Sequence, residues 1–359
     1  MVQRLLIIMP MAVLSLAIFI TAESGAEIRR EDIGELKIHD VLLRPQFILK
    51  EPQEGTFKMG ESSFALRWEL EETFKGVIRV GSRELMNASA RYTPSLNEDV
   101  TLVEAYGEYN SPYGRFRMGR IPTEFGVEGK MWERELIFPR AMLFRERVVA
   151  LRDIGASYYV SYNDFYTGVV VHNGESDTDL DGRMWYTGQW GYQFPDLDLG
   201  FAGETGSTTP ASASTSADTL ASVDVSKNAK WRVGGLYLDW TPRNWRVLLE
   251  AYGGEREQNE NVRRFTTGHF DLIHNFSNTF SMGVRYDLFD PDLKISTNLI
   301  QEASLALTLS NKTQSSNLIL VGTQVFEESN EVPNNEIRLI WSLSPSGVVQ
   351  FRSSSNPNF

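Results

Sequence analysis

The sequence contains no cysteine. That excludes a disulfide framework, a thiol nucleophile and any cysteine-held metal, so an exported fold must hold together without covalent staples. Histidine is nearly as scarce. The four, His39, His172, His269 and His274, show no zinc-ligand spacing, and the last two point to opposite faces of an extended strand. There is no Gly-x-Ser-x-Gly elbow and no glycine-rich phosphate loop, so no common catalytic motif is present and no cofactor is implied. Beyond the first twenty residues no long apolar run remains, which excludes a membrane-spanning helix from the rest of the chain. Lysine is sparse, and 47 acidic residues outnumber 35 Lys+Arg for a net charge of -12, so no nucleic-acid partner is expected.

What is present begins with a leader. Arg4 precedes an apolar run from Leu5 to Ile20, broken by Pro10, and Ser24-Gly25-Ala26 follow. A positive start, an apolar centre and small residues before a cut read as a secretory signal peptide over 1–26. A single membrane anchor is the alternative; Pro10 and the missing basic stop argue against it. Residues 27–37 are charged without clear period and read as a short periplasmic lead-in.

From residue 38 the apolar positions alternate. Phe64, Leu66, Trp68 and Leu70 fall on one face with Arg67, Glu69 and Glu71 on the other, and Met282, Val284 and Tyr286 oppose Gly283, Arg285 and Asp287. A helix would scatter such residues, whereas a strand sorts them. About sixteen such runs lie between 38 and 344, beginning 38–50 (interrupted by Pro45), 61–72, 76–83, 100–110 and 114–121 and ending 294–309, 313–326 and 335–344. Tight joins such as Asn163-Asp164 and Pro242-Arg243 alternate with long ones at 51–60, 84–99, 122–150, 174–183, 206–229 and 254–264. The tight end gathers aromatics: Tyr109 and Tyr113, Tyr162 and Tyr166, Tyr192 and Phe194, Trp240 and Trp245, Phe276 and Phe280. Alternation, turn–loop asymmetry and an aromatic girdle together predict an all-β, transmembrane antiparallel barrel of about sixteen strands, contacting outer-membrane lipid. A soluble β-sandwich would show the alternation but has no need of aromatics at every tight turn.

The insert at 122–150 is the third long loop, and its mix of residues predicts that it folds into the lumen. Phe125, Met131, Trp132, Leu136, Ile137, Phe138, Met142, Leu143 and Phe144 give it anchors. Glu124, Glu128, Glu133, Glu135 and Glu146, with Lys130, Arg134, Arg140, Arg145 and Arg147, give it charge to present to a solute. The rival reading is a solvated flap laced with ion pairs. Facing it, Arg67, Arg79, Arg83, Arg115 and Arg117 fall at inward positions of the wall, where fixed guanidinium charge would select anions. The rival there is cancellation by Glu69, Glu71, Glu104 and Glu108. Asp177-Thr178-Asp179-Leu180-Asp181-Gly182 opens like a calcium loop, but Gly188 stands where the closing acid belongs, so the motif is not met. The Ser/Thr/Ala-rich stretch at 206–229 reads as a mobile outer loop.

Several of these segments resemble the phosphate-selective porin O/P family. The resemblance rests on Arg117-Met118-Gly119-Arg120-Ile121-Pro122-Thr123-Glu124-Phe125-Gly126, on Arg152-Asp153-Ile154-Gly155 and on the Asn-Gly at 173–174. Glu250-Ala251-Tyr252, Arg285-Tyr286-Asp287 and Glu336 to Leu343 add to it. It implies a trimeric sixteen-stranded channel of the Gram-negative outer membrane, inserted by the assembly machinery there. Such a channel passes small ions and polar solutes along basic lumen residues, with Arg115, Arg117 and Glu124 among the matched positions. The acidic total and the scarcity of lysine depart from a phosphate-specific member. Residues 345–359 read as a tail beyond the last strand. The sequence therefore predicts a non-enzymatic porin, the alternative being a non-conducting barrel such as an adhesin or an outer-membrane hydrolase.

Overall fold

The computed structural model describes residues 35–52, 55–71, 73–89, 100–174, 182–208, 229–258, 261–327 and 335–344. The leader, most of the lead-in, the Asp177–Asp181 stretch, residues 209–228 of the Ser/Thr/Ala loop and the tail lie outside them. Among the described residues eighteen antiparallel strands form one sheet. The first five are β1 (Glu35–Leu42), β2 (Gln46–Lys50), β3 (Thr56–Lys58), β4 (Ser63–Leu70) and β5 (Phe74–Ser82). A helix, α1 (Arg83–Ser89), separates β5 from β6 (Val100–Ser111) and β7 (Gly114–Pro122). The long loop follows, carrying the short helix α2 (Met142–Arg145). The chain returns through β8 (Arg152–Tyr162), β9 (Phe165–His172), β10 (Trp185–Phe194), β11 (Leu197–Thr208), β12 (Ala229–Trp240) and β13 (Trp245–Gln258). It finishes with β14 (Asn261–Ser277), β15 (Phe280–Asp290), β16 (Ile300–Ser310), β17 (Ser316–Glu327) and β18 (Glu336–Leu343).

From β4 to β18 each strand pairs with the next, as a meander does. Its two ends meet on one bent stretch. β1 pairs with β4 from Glu35↔Glu69 to Leu42↔Ser63, and β2 pairs with β18 from Gln46↔Ile340 to Lys50↔Glu336. Between them Leu43 exchanges backbone bonds of 2.9 and 2.8 Å with Leu343. Pro45 has no N–H to give a ladder, so the single run expected over 38–50 is two strands. β3, a short partner of β2 inside the join expected at 51–60, is the other addition. These two differences turn about sixteen runs into eighteen strands.

Two boundaries also move. Arg83 is not on a wall strand: β5 ends at Ser82 and Arg83 opens α1, exposed. The run expected from 294 starts at Ile300, because the Asp292 carboxylate accepts the Lys294 N–H (3.1 Å) and its carbonyl accepts that of Ile295 (2.8 Å), fixing a turn first.

The faces are sorted as a membrane barrel requires. On β15 Met282, Val284 and Tyr286 are exposed while Ser281, Arg285 and Asp287 are buried; on β13 Trp245 and Leu249 are exposed while Arg246 and Glu250 are buried. Apolar side chains thus cover the outside and charge collects inside. Tyr109, Tyr113, Tyr162, Tyr192, Phe194, Trp240, Trp245 and Phe276 are all exposed at the tight-turn end. Tyr166 is the exception in the expected girdle: only 2% exposed, it faces inward, because it alternates with outward Phe165.

Candidate functional site: a loop clamped inside the barrel

The loop between β7 and β8 occupies the lumen. Its entry is set by backbone that few side chains tolerate: Glu124 sits at φ +53° and Gly126 at φ +67°. A Cβ on Gly126 would lie 2.3 Å from Tyr252 Oη and 2.4 Å from a Glu250 oxygen, so only glycine lets the chain come this close to β13. Beyond it Phe125, Val127, Met142, Leu143, Phe144, Val148, Val149 and Leu151 join one buried cluster with inward residues of the wall, among them Trp185, Trp231, Tyr252, Phe265 and Phe289. Ile137 and Phe138 enter a second cluster with Ile273, Ile319 and Ile340. Each fully buried phenylalanine contributes about 1.5–3 kcal/mol, so the apolar anchors supply much of what holds the loop in place. The flap reading is excluded by this packing.

The charged residues divide between two walls. On the near side, Arg115 donates to both oxygens of Glu124 at 3.2 Å, and Arg117 bridges Glu124 and Glu108, the latter at 2.7 Å. Burial would raise the Glu124 carboxyl, but Arg115 and Arg117 outweigh it and hold Glu124 below the usual carboxylate range. Glu133 accepts from Arg152 (2.8 Å) and Arg140 (3.0 Å), again held low against burial by those guanidinium groups. Arg79 donates to Asp40 (3.0 Å) and Glu104 (3.3 Å) and lies 4.3 Å over the Trp132 ring. Arg134 reaches Asp40 at 3.2 Å, and Arg67 pairs with Glu69 at 2.9 Å. Arg44, from the bend between β1 and β2, donates to the loop carbonyls of Glu133 and Leu136.

On the far side the polarity changes. Glu250 accepts from the Val127 N–H, Asp287 from that of Met142 (2.8 Å), and Glu302 from Arg145. Lys130 donates to Asp198 and to the Tyr166 hydroxyl, each 3.2 Å, which keeps its ammonium charged despite burial. Glu128 is the loop carboxylate that meets a wall guanidinium here. It accepts from the Ala141 N–H (2.7 Å) and from Arg285 (2.9 Å); burial pushes its carboxyl up, and Arg285 more than offsets this, leaving it at about 2. Glu135 accepts the Trp132 N–H at 2.8 Å, and burial raises its carboxyl. Arg147 is half-buried at φ +59° where the loop turns back toward β8.

The structure therefore brings together Arg79, Arg115, Arg117, Glu124, Glu128, Lys130, Glu133, Arg134, Arg140 and Arg145, and leaves Arg83 apart. The sequence reading missed the far wall: Asp198, Glu250, Asp271, Arg285, Asp287 and Glu302. Their alternation placed them inward on later strands, and counting inward charge there would have found them. Glu71 lies in a turn at φ +52°, not on the wall.

One group has the spacing of a hydrolase triad. Asp153 accepts from His172 Nδ1 at 2.7 Å, and His172 Nε2 lies 2.9 Å from Thr187 Oγ1. The Thr187 hydroxyl, however, donates to Glu204 at 3.0 Å, and all four residues are almost wholly buried. The network ties β8, β9, β10 and β11 together and offers no nucleophile.

Two cavities flank the loop. One of about 220 Å³ is lined by Arg115, Arg117, Lys130, Arg140 and Arg152 against Glu104 and Glu124. The other, about 50 Å³, lies between Pro139–Arg145 and the wall, lined by Lys50, Arg140, Arg145, Arg285 and Arg338 against Asp287, Glu302 and Glu336.

Residues 56–349 match a family model described as "Putative beta-barrel porin-2, OmpL-like". Among solved structures the chain is similar to the trimer form of OmpT, an outer membrane protein of Vibrio cholerae. The TM-score is 0.65 at 11% identity, over 87% of this chain and 100% of that one. It is also similar to the outer membrane channel DcaP of Acinetobacter baumannii (0.61, 9%, 89% and 99%) and to Salmonella typhi OmpF in complex with daunomycin (0.59, 10%, 89% and 100%). At these identities the likeness is one of fold. A search of curated proteins finds no match. The match bears out the resemblance at the level of a β-barrel porin and does not extend to the phosphate-selective O/P family. Because the family match spans most of the chain, the protein belongs to the outer-membrane β-barrel porin family described as "Putative beta-barrel porin-2, OmpL-like".

Proposed function

We propose that the protein is a passive, non-enzymatic channel for small polar solutes and ions in the Gram-negative outer membrane, in which the loop at 122–151 is the constriction. The observation that carries this reading is the loop's double attachment. It is fixed to both walls by buried ion pairs and apolar clusters, and so narrows the lumen without depending on solvent-exposed contacts. The homotrimer is part of the proposal; one neighbour of like fold is a trimer.

For selectivity we propose a weak preference for anions. The larger cavity beside the loop carries five basic residues against two acidic ones, and the smaller five against three. Low-dielectric walls focus such local charge, whereas acidic residues elsewhere are screened beyond roughly 10 Å at 0.1 M salt. The pairing of Arg115 and Arg117 with Glu124 keeps the preference small, and tight phosphate binding is not expected.

Purified protein in a planar bilayer tests both parts. Stepwise conductance and a reversal potential on the anion side in a potassium chloride gradient are expected. Absence of steps from folded protein would overturn the channel; a cation-side potential would overturn only the selectivity.

A further inference from the structure

We propose that Glu128, Glu250 and His269 form a binding site for a divalent transition cation of the class zinc represents, fastening the lumen loop to the far wall. One ligand comes from the loop and two from adjacent strands: Glu250 and His269 are direct cross-strand partners on β13 and β14. All three side chains are buried, and their ligating atoms lie within 4.8 Å of one another, the one such grouping among the described residues.

The second observation is what these atoms lack. Glu250 Oε2 and His269 Nε2 are buried and make no hydrogen bond, standing 3.8 Å apart. Asp287, the cross-strand partner of His269 on β15, also has an unpartnered buried oxygen, Oδ1. Buried polar atoms without partners are costly, and the facing pair Glu250 Oε2 and His269 Nε2 asks for a common partner, with the Asp287 oxygen adding to the unmet negative charge beside it. A cation about 2.1 Å from each ligand atom spans the Glu250–His269 separation directly.

Charge points the same way. Five carboxylates, Glu128, Glu250, Asp271, Asp287 and Glu302, meet here. Arg285 serves Glu128 and Asp271, and Arg145 serves Glu302 and approaches Asp287 at 3.9 Å. Glu250 is reached by neither guanidinium, and its partners are the Val127 and Glu128 N–H groups and the Tyr252 hydroxyl, all on Oε1. A patch with more buried acid than base favours a cation. One imidazole nitrogen with carboxylate oxygens suits zinc or its first-row neighbours, whereas calcium and magnesium prefer oxygen alone. Glu128 can ligate while keeping Arg285 and Ala141, because each carboxylate oxygen has two acceptor positions.

The test uses the full-length folded barrel, stripped with a chelator and titrated with Zn²⁺ by calorimetry at neutral pH. Folding is confirmed by heat-modifiable gel migration. One ion per chain is expected, with affinity falling at least about tenfold in Glu250→Gln and in His269→Ala, as loss of a ligand or its support does. Co²⁺ added to the unmodified barrel gives a second readout: visible bands of a low-symmetry nitrogen–oxygen site are expected, distinct from the aqueous ion. Should His269→Ala fail to fold, the near-isosteric Glu250→Gln and the cobalt spectrum decide. No stoichiometric uptake, unchanged affinity in a folded variant, or a cobalt spectrum like that of the free ion would overturn the site. None of these readouts depends on whether the barrel conducts.

Discussion

The near and far walls of the lumen hold the same loop by opposite means. On the near side the wall supplies guanidinium groups, Arg115, Arg117 and Arg152, and the loop supplies Glu124 and Glu133, with only Arg134 reaching wall Asp40 in the opposite sense. On the far side the wall supplies mainly carboxylates, Asp198, Glu250, Asp287 and Glu302, and the loop answers with Lys130, Arg145 and two backbone N–H groups, while Arg285 with loop Glu128 runs the other way. The loop's apolar residues also gather on the far side. The difference teaches that the loop is seated from the far wall and tuned from the near one. Apolar burial fixes where it lies, and on the proposed reading the ion pairs facing the larger cavity are what a solute would meet.

The largest effect is expected from removing the element both walls share. Deleting Gly129 to Phe138 should raise single-channel conductance severalfold in a barrel that still shows heat-modifiable migration; unchanged conductance would place the loop outside the permeation path. Next comes the far-wall anchor. Arg285→Met leaves Glu128 and Asp271 buried without their shared cation, and breaking a buried pair costs about 3–5 kcal/mol, read as a lowered urea midpoint. The same pair sets the acid limit. With the Glu128 carboxyl held at about 2, its contribution is full above the ordinary carboxylate range and is lost only as pH falls toward 2. Any change in conductance that Glu128→Gln abolishes should therefore appear only below about pH 4; a Glu128-dependent step near pH 5 would mean that Glu128 is not clamped. The smallest effect belongs to the near wall. Arg115→Ala with Arg117→Ala should shift the reversal potential toward zero by removing two of the five basic residues of the larger cavity, with a smaller loss of stability than Arg285→Met because these pairs are only partly buried. An unmoved potential would remove the near wall from selectivity.

Much of this was legible in the sequence for one reason: a strand facing lipid on one side and charge on the other writes its period in the residues themselves. Val284 and Tyr286 against Arg285 and Asp287 could be sorted without coordinates. Pro45 was legible as an interruption, but that the chain changes partners there was not, since pairing is a property of two strands. The loop's occupancy of the lumen followed from its anchors. Its contacts did not, because Glu128 and Arg285 are separated by 157 positions and nothing local joins them. Tyr166 and Arg83 were misplaced by one step of alternation and by one residue of strand length, the scale at which a sequence alone loses register.

The bend at Arg44-Pro45 has a consequence for how the molecule is made. Arg44 is held where the first stretch passes from β4 to β18, and from there it donates to the carbonyls of Glu133 and Leu136. The Glu133 carbonyl also accepts the Leu136 N–H at 3.3 Å, but the Leu136 carbonyl takes its bond from Arg44, and a buried acceptor without a donor costs about 1–3 kcal/mol. Until the two ends of the meander have met, the guanidinium that serves them is not in position. Seating of the loop is thereby coupled to closure of the seam, and a barrel still open at its edge carries an unfinished interior. The fold has built its own proof of completion into the point where its first and last strands join.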